Sequence, residues 1–110
     1  MAKKVTNPVL WSPSDERSKS SQMYKFIKFI KEKNNVNIQN FTDLHTWSIE
    51  NKADFWSAIW DFFSVIGSKG TKPYINPINK MPGSKFFPKG KVNYAENMLL
   101  GEISGAAIVF

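Results

Sequence analysis

The stretch FWSAIWDFFSVI, residues 55–66, decides the fold because a helix formed by it is apolar on two sides. At helical spacing one stripe contains Phe55, Ile59, Phe62 and Ile66, and another contains Trp56, Trp60 and Phe63. A helix that is apolar on two faces has to be buried on both of them. We therefore predict a helix over residues 52–66, capped by Asn51, that needs packing partners on two sides.

A second helical pattern lies nearer the start of the chain. Its apolar residues recur at the i, i+3, i+4, i+7 spacing of one helix face, namely Met23, Phe26, Ile27 and Ile30. Residues 12–16, Ser-Pro-Ser-Asp-Glu, supply a capping hydroxyl, a Pro suited to a first turn and acids that favour a helix N-terminus, so we predict a helix over residues 14–33. A basic amphipathic helix of this kind can lie on a membrane. The same pattern is typical of a helix packed on a core, which is the interpretation we favour.

The remaining segments complete a mainly α fold with long irregular loops and one C-terminal strand. Thr42 and Asp43 can cap a short helix over residues 42–50. Residues 67–90 contain four of the six Pro and four of the six Gly, which predicts an irregular loop. A short helix is expected over residues 94–100. The apolar run at 106–110 predicts a strand that is buried on both sides.

Two features indicate that the chain is part of a larger fold. The helix at 52–66 has more apolar surface than the other helices can cover, and contiguous exposed apolar surface usually marks a partner site. The strand at 106–110 has no second strand to supply its hydrogen bonds. We therefore expect a docking face that is covered by a partner or by self-association, formed by Phe55, Trp56, Ile59, Trp60, Phe62 and Phe63.

The basic composition does not by itself indicate a nucleic-acid or membrane partner. The formal net charge is +6, but Arg17 is the single Arg among 15 positive residues. Proteins that read phosphates and bases usually use the bidentate Arg fork. No window approaches the ~20 apolar residues of a membrane span. We expect no nucleic-acid partner, no membrane partner and a cytoplasmic location.

The residue types that carry most catalytic and metal chemistry are scarce. The absence of Cys excludes disulfides and thiolate nucleophiles. His45 is the single His, so a zinc site of the usual type cannot form. Residues 67–73, GSKGTKP, superficially resemble a phosphate-binding loop but lack the Walker spacing, and we interpret them as a connector. The sequence therefore nominates no catalytic, cofactor-binding or metal-binding residue.

Three groups of residues form recognisable motifs. In chain order they are LWSPSDER (10–17); WSIE (47–50) with FW (55–56) and IWDFF (59–63); and FFP (86–88) with NYAENML (93–99). Together they resemble the N-terminal segment of the acetyl- and acetoacetyl-CoA synthetase branch of the adenylate-forming acyl-CoA ligases. The Tyr-Ala-Glu-Asn form at 94–97 points to the acetoacetyl type. Lys89-Gly90 and Val92 depart mildly from the family pattern, in which Gly follows the Pro directly and Leu precedes the Asn.

The resemblance implies an incomplete N-terminal piece of a larger α/β adenylate-forming fold. A complete relative would use ATP and magnesium to convert a short acyl or β-keto acid into an acyl-adenylate, and would then transfer the acyl group to coenzyme A. The family's phosphate loop, substrate pockets and catalytic Lys have no counterpart in this sequence. We therefore expect the chain alone to be inactive and to use none of these cofactors itself.

Three roles remain open from the sequence. The first is a structural segment that docks on the remainder of an acyl-CoA synthetase, acting in the complete enzyme on acetoacetate or alternatively on acetate or propionate. The second is a free-standing interaction module that uses the Trp56, Trp60 and Phe63 face. The third is a basic domain that binds membranes or nucleic acid, whose binding would weaken steeply as salt rises.

Overall fold

A computed structural model describes residues 7–101, 104–106 and 108–109. This part of the chain contains five helices and two small antiparallel sheets of two strands each. The helices are α1 (Asp15–Ser20), α2 (Gln22–Asn34), α3 (Phe41–Glu50), α4 (Lys52–Phe62) and α5 (Tyr94–Met98). The strands are β1 (Gly67–Ser68), β2 (Ile75–Asn76), β3 (Lys85–Phe86) and β4 (Lys91–Val92). The chain divides after Gln39 into two compact units.

Ser21 divides the helix predicted over residues 14–33 into α1 and α2. Its backbone is extended, with φ −69° and ψ 153°. The Ser21 hydroxyl donates to Ser18 O at 2.7 Å and accepts from Tyr24 N–H at 3.2 Å. One side chain therefore serves as a cap at the end of α1 and at the start of α2, and a Ser that bonds nearby backbone groups in this way competes with a continuous helix.

The apolar face of α2 is buried at the positions that its helical spacing indicates. Phe26 and Ile30 are buried, Ile27 is half-buried, and Met23 at the start of the face is exposed. The helix ends where Asn35 adopts the left-handed conformation with φ 51°, which Asn tolerates better than most residues. This burial is what packing on a core produces, as favoured from the sequence.

In the second unit, α3 and α4 follow each other with Asn51 between them and pack together. Asn51 N–H donates to Trp47 O at 2.8 Å, and the rings of Trp47 and Phe55 lie 6.3 Å apart edge to face. Asn40, rather than Thr42 or Asp43, caps α3, so the helix begins at Phe41, one residue before the predicted start. The predicted helix at 52–66 is shorter in the structure, since α4 ends at Phe62 and Ser64 takes a left-handed φ of 51°.

Residues 67–92, called here the arm, form two nested antiparallel ribbons where the sequence predicted an irregular loop. At the base, β1 pairs with β4 with Gly67 opposite Val92. Farther out, β2 pairs with β3 with Ile75 opposite Phe86. Gly67 has φ 144°, and a Cβ there would collide with the carbonyl oxygen of Lys91. The close pairing at the base of the arm therefore requires glycine.

The C-terminal part of the second unit differs from the prediction in extent and in type. The helix predicted over residues 94–100 is α5, which ends at Met98. The strand predicted over residues 106–110 is absent at residues 106, 108 and 109, where the described side chains are exposed; Ala107 and Phe110 lie outside the described residues. A strand requires a neighbour to complete its hydrogen bonds, and none of the described strands pairs with this segment.

Candidate functional site

The predicted docking face on α4 is partly covered by the chain itself. Trp56 and Phe63 are exposed, with 41% and 58% of their surface accessible. The other four residues of the face are half-buried: Phe55, Ile59, Trp60 and Phe62. Three residues of the first stripe and two of the second lie on α4, whereas Phe63 follows the end of the helix and Ile66 lies beyond it; both stripes keep accessible apolar surface.

The arm supplies the cover through two consecutive aromatic residues. The Phe87 ring lies 5.0 Å from the Trp60 ring and 5.6 Å from the Tyr74 ring, measured between centroids. The Phe86 ring meets Trp56 edge to face at 5.9 Å. Sequence analysis placed Phe86 and Phe87 in a motif but did not predict that they fold back on α4. Two adjacent aromatic residues inside a segment rich in Pro and Gly were the available signal.

A charged contact joins the base of the arm to α4. Lys69 Nζ lies 2.8 and 2.9 Å from the two carboxylate oxygens of Asp61 and 3.0 Å from Ser57 Oγ. It also lies 5.4 Å from the centroid of the Tyr74 ring. Both partners of the ion pair are mostly buried, with 21% and 28% of their side chains accessible. Lys69 is the first lysine of the stretch that resembled a phosphate loop, and its charge is already balanced by Asp61.

The Asn97 side chain connects α5 to the residue before the arm. Asn97 Oδ1 accepts from Ile66 N–H at 2.8 Å, and Asn97 Nδ2 donates to Ile66 O at 3.0 Å. The same Nδ2 also donates to Asn93 O at 2.9 Å. A carboxamide that bonds both polar groups of one backbone residue reproduces the pattern of a strand pair. It continues the β1–β4 ribbon by one step, from Gly67 and Val92 to Ile66 and Asn97.

Helix α5 and the two residues that follow it present apolar side chains that nothing in the described part of the chain covers. Asn93 caps the helix by accepting from Glu96 N–H at 3.0 Å. The exposed side chains form the α5 surface, with 59–84% of each accessible: Tyr94, Met98, Leu99 and Leu100. This surface was not predicted from the sequence as a docking site.

In the first unit Val9, Leu10 and Trp11 are likewise exposed, and Arg17 lies over the Trp11 ring at 5.6 Å.

The tip of the arm and the α3–α4 pair line one groove. The groove of about 570 Å³ lies between the tip and the α3–α4 pair, with Ile49, Trp56 and Ile78 among its lining residues. Met81 at the tip is 98% exposed. The arm therefore covers α4 through Phe86 and Phe87 rather than through its tip.

The described residues of the second unit offer few candidate catalytic or metal-binding side chains. His45 is exposed on α3 and stacks on Phe41, with ring centroids 6.2 Å apart. Among the described residues no group of three or more acids and histidines could hold a metal ion. In the same part of the chain no helix is long and apolar enough to cross a membrane.

The chain is similar to several curated acyl-CoA synthetases. The chain is 34% identical over 101 residues to the acetoacetyl-coenzyme A synthetase of Rhizobium meliloti, a match that covers 92% of this chain and 15% of that protein. It is 29% identical over 99 residues to the malonamoyl-CoA synthetase of Penicillium aethiopicum, covering 89% of this chain and 13% of that protein. It is 28% identical over 96 residues to the acetoacetyl-CoA synthetase of Danio rerio, covering 86% of this chain and 14% of that protein.

No family model matches the chain, and no solved structure matches it. The chain spans about one seventh of the length of the curated relatives it matches. The motifs in residues 10–17, 47–63 and 86–99 and these matches lead to the same enzymes. The chain is therefore similar, over most of its length, to a segment of acetoacetyl-CoA synthetases.

Proposed function

We propose that this chain is the N-terminal structural and docking segment of an acetoacetate-CoA ligase. The complete enzyme would form an acyl-adenylate from acetoacetate and ATP with magnesium, and would then form the thioester with coenzyme A. Acetoacetate is the favoured substrate because seven of the eight relatives carry the name acetoacetyl-CoA synthetase. The segment itself contributes packing surface and no catalytic group.

The observation that carries the docking role is the accessible apolar surface on α4 and directly after it. Phe63 and Trp56 remain exposed although the arm packs on the same helix. Surface of this type is expensive to leave in water, at about 25 cal/mol per Å². This chain matches 15% of the Rhizobium meliloti relative, so a large body of sequence is present there to cover it.

In the stretch that superficially resembles a phosphate-binding loop, the structure gives Lys69 and the two glycines other contacts. Lys69, the first lysine of that stretch, bonds both oxygens of Asp61, and an anion placed there would have to displace that carboxylate. Gly67 and Gly70, which could have approached a phosphate, are used in the close pairing at the base of the arm. We therefore assign ATP, magnesium and coenzyme A to the remainder of the enzyme and derive no chemical step from this segment.

The expectation that the segment is not catalytic is tested by exchange of labelled pyrophosphate into ATP. The isolated chain should show no incorporation of labelled pyrophosphate into ATP with acetate, propionate or acetoacetate. The full-length Rhizobium meliloti enzyme should do so with acetoacetate under the same conditions. Exchange by the isolated chain above a no-protein blank would show that it carries catalytic groups of its own.

The docking part is tested in a full-length chimera. The segment of the Rhizobium meliloti enzyme that matches this chain is replaced by the present sequence, and acetoacetate-dependent formation of the CoA thioester is measured. We expect activity in the chimera, and Phe63→Ser should lower its melting temperature more than the double change Lys28→Gln and Lys31→Gln. Phe63 is preferred to Trp60 because Trp60 also holds Phe87. An inactive chimera, or a larger effect of the two Lys changes, would contradict the docking role.

A further inference from the structure

We infer that the α5 surface is a second docking surface for the remainder of the synthetase, and that Asn97 is the positioning residue that orients it. This inference rests on the proposed function. To the docking role of α4, the inference adds a second surface and the residue that holds it in place. The surface consists of Tyr94, Met98, Leu99 and Leu100. Neither the motif resemblance nor the α4 stripes indicated it.

The helical spacing separates the two sides of α5. Asn93 and Asn97 are four residues apart; Asn97 meets Ile66, and its Nδ2 also bonds the backbone oxygen of Asn93, the N-cap residue. Tyr94 and Met98 are also four residues apart and lie one position farther around the helix, so they share an adjacent side. The polar side is therefore occupied by the bonds to Ile66, and the apolar side is left exposed.

Such a short helix needs an external constraint to keep an orientation. Helix α5 has five residues, far fewer than an isolated helix needs for stability in water. The Asn93 cap holds its start, and the Asn97 carboxamide ties its last turn to a backbone residue 31 positions away. These bonds fix which way Tyr94 and Met98 face relative to α4 and the arm.

The partner follows from the coverage of the relatives. A stretch of 101 residues in a chain of 110 necessarily includes residues 10 to 101, so α5 lies inside the segment shared with the Rhizobium meliloti enzyme. That segment is 15% of the enzyme, and the other 85% is the sequence available to cover the α5 surface there. Four exposed apolar side chains on a short helix and the two residues after it are the composition that a protein partner covers, and they carry no charge that would favour a phosphate or a nucleic acid.

The first test examines the Asn97 bonds in the isolated chain by amide hydrogen exchange. Asn97→Leu removes both bonds to Ile66, and the protection of the Ile66 amide should fall about tenfold. Asn97→Asp keeps an acceptor for that amide and should retain most of the protection. Equal protection in the wild-type chain and in Asn97→Leu would overturn the role of Asn97.

The second test identifies what covers the α5 surface in the full-length chimera. The photo-crosslinking amino acid p-benzoylphenylalanine is placed at position 98, and in a matched control at position 81, where Met81 is exposed at the tip of the arm. Position 98 should crosslink to peptides from the other 85% of the enzyme, with at least a fivefold higher yield than position 81. Asn97→Leu should lower the yield at position 98, and Asn97→Asp should restore part of it.

The outcomes separate the inference from the proposed function. An active chimera in which position 98 crosslinks only to this segment, or to a second copy of the enzyme, refutes the α5 surface and leaves the docking role of α4 standing. A chimera without activity contradicts the proposed function itself. Crosslinks from position 98 that are unchanged by Asn97→Leu refute the positioning role of Asn97 alone.

Discussion

Phe87 combines a favourable side-chain contact with an unfavourable backbone conformation, so Ala and Gly at this position should rank in an unusual order. Its ring packs on Trp60 and Tyr74, while its φ is 48° in the left-handed region. The backbone is held there because Phe87 N–H donates to Tyr74 O at 2.6 Å and Phe87 O accepts from Gly90 N–H at 2.8 Å. The neighbouring Phe86 lies in strand β3 and has no such conformation.

The expected magnitudes follow from these contacts. Truncating a buried Phe to Ala costs about 3–5 kcal/mol, and Phe87 is half-buried, so Phe87→Ala should cost about 2 kcal/mol. A left-handed conformation costs a non-glycine residue about 1–2 kcal/mol, and glycine loses about 0.5–1 kcal/mol more backbone entropy on folding. Phe87→Gly should therefore be about 0.5–1 kcal/mol more stable than Phe87→Ala. At Phe86, where the backbone is extended, Gly should instead be less stable than Ala by about 0.5–1 kcal/mol.

The assay is urea unfolding at equilibrium, followed by tryptophan fluorescence, for the four single variants and the wild-type chain. A difference of about 0.5–1 kcal/mol corresponds to a midpoint shift of about 0.5 M urea for a small protein. The test is the reversal of the Ala and Gly order between neighbouring positions 86 and 87. If Ala is the more stable residue at both positions, the left-handed conformation of Phe87 and the strain argued from it are wrong.

Two further predictions concern polar contacts. Lys69→Met should lower the free energy of unfolding by about 2 kcal/mol in urea titrations, because it leaves the mostly buried Asp61 carboxylate without its cation. The control Lys72→Met, at an exposed position, should change it by less than about 0.5 kcal/mol. Similar effects of the two changes would refute a stabilising role of the ion pair. Ser21→Ala should lower the free energy of unfolding by about 1 kcal/mol and weaken the helical signal in circular dichroism, because it removes the N-cap of α2. The control Ser20→Ala removes no N-cap and should be close to neutral. An unchanged spectrum for Ser21→Ala would contradict its capping role.

The helices were predictable because their determinants are local. The spacing of Phe26 and Ile30 and the apolar stripes of residues 55–62 identify α2 and α4 directly from the sequence. The break at Ser21 was missed because the apolar spacing of α2 begins only at Met23 and does not report where the helix starts. The signal was present in the Ser-rich stretch 18–21, where hydroxyl groups compete for backbone bonds.

The arm and the α5 surface could not be predicted in the same way. Strands of two residues have no measurable alternation, and the pairing of Gly67 with Val92 joins positions 25 residues apart. The bond between Asn97 and Ile66 spans 31 residues, and no local pattern reveals it. The predicted docking face on α4 stays a prediction, although the structure shows which of its residues keep accessible surface, Trp56 and Phe63 most of all.

The paired base of the arm has a consequence for how the segment tolerates change in length. Because Gly67 lies opposite Val92, the chain leaves the helical part and returns to it at nearly the same point. The β2–β3 ribbon repeats this closure farther out, between Asn76 and Lys85. Residues 77–84 are therefore a terminal excursion, and shortening it or inserting a foreign peptide there should leave the paths of α4 and α5 unchanged. It is the natural place in this segment for an affinity tag or a fluorescent label.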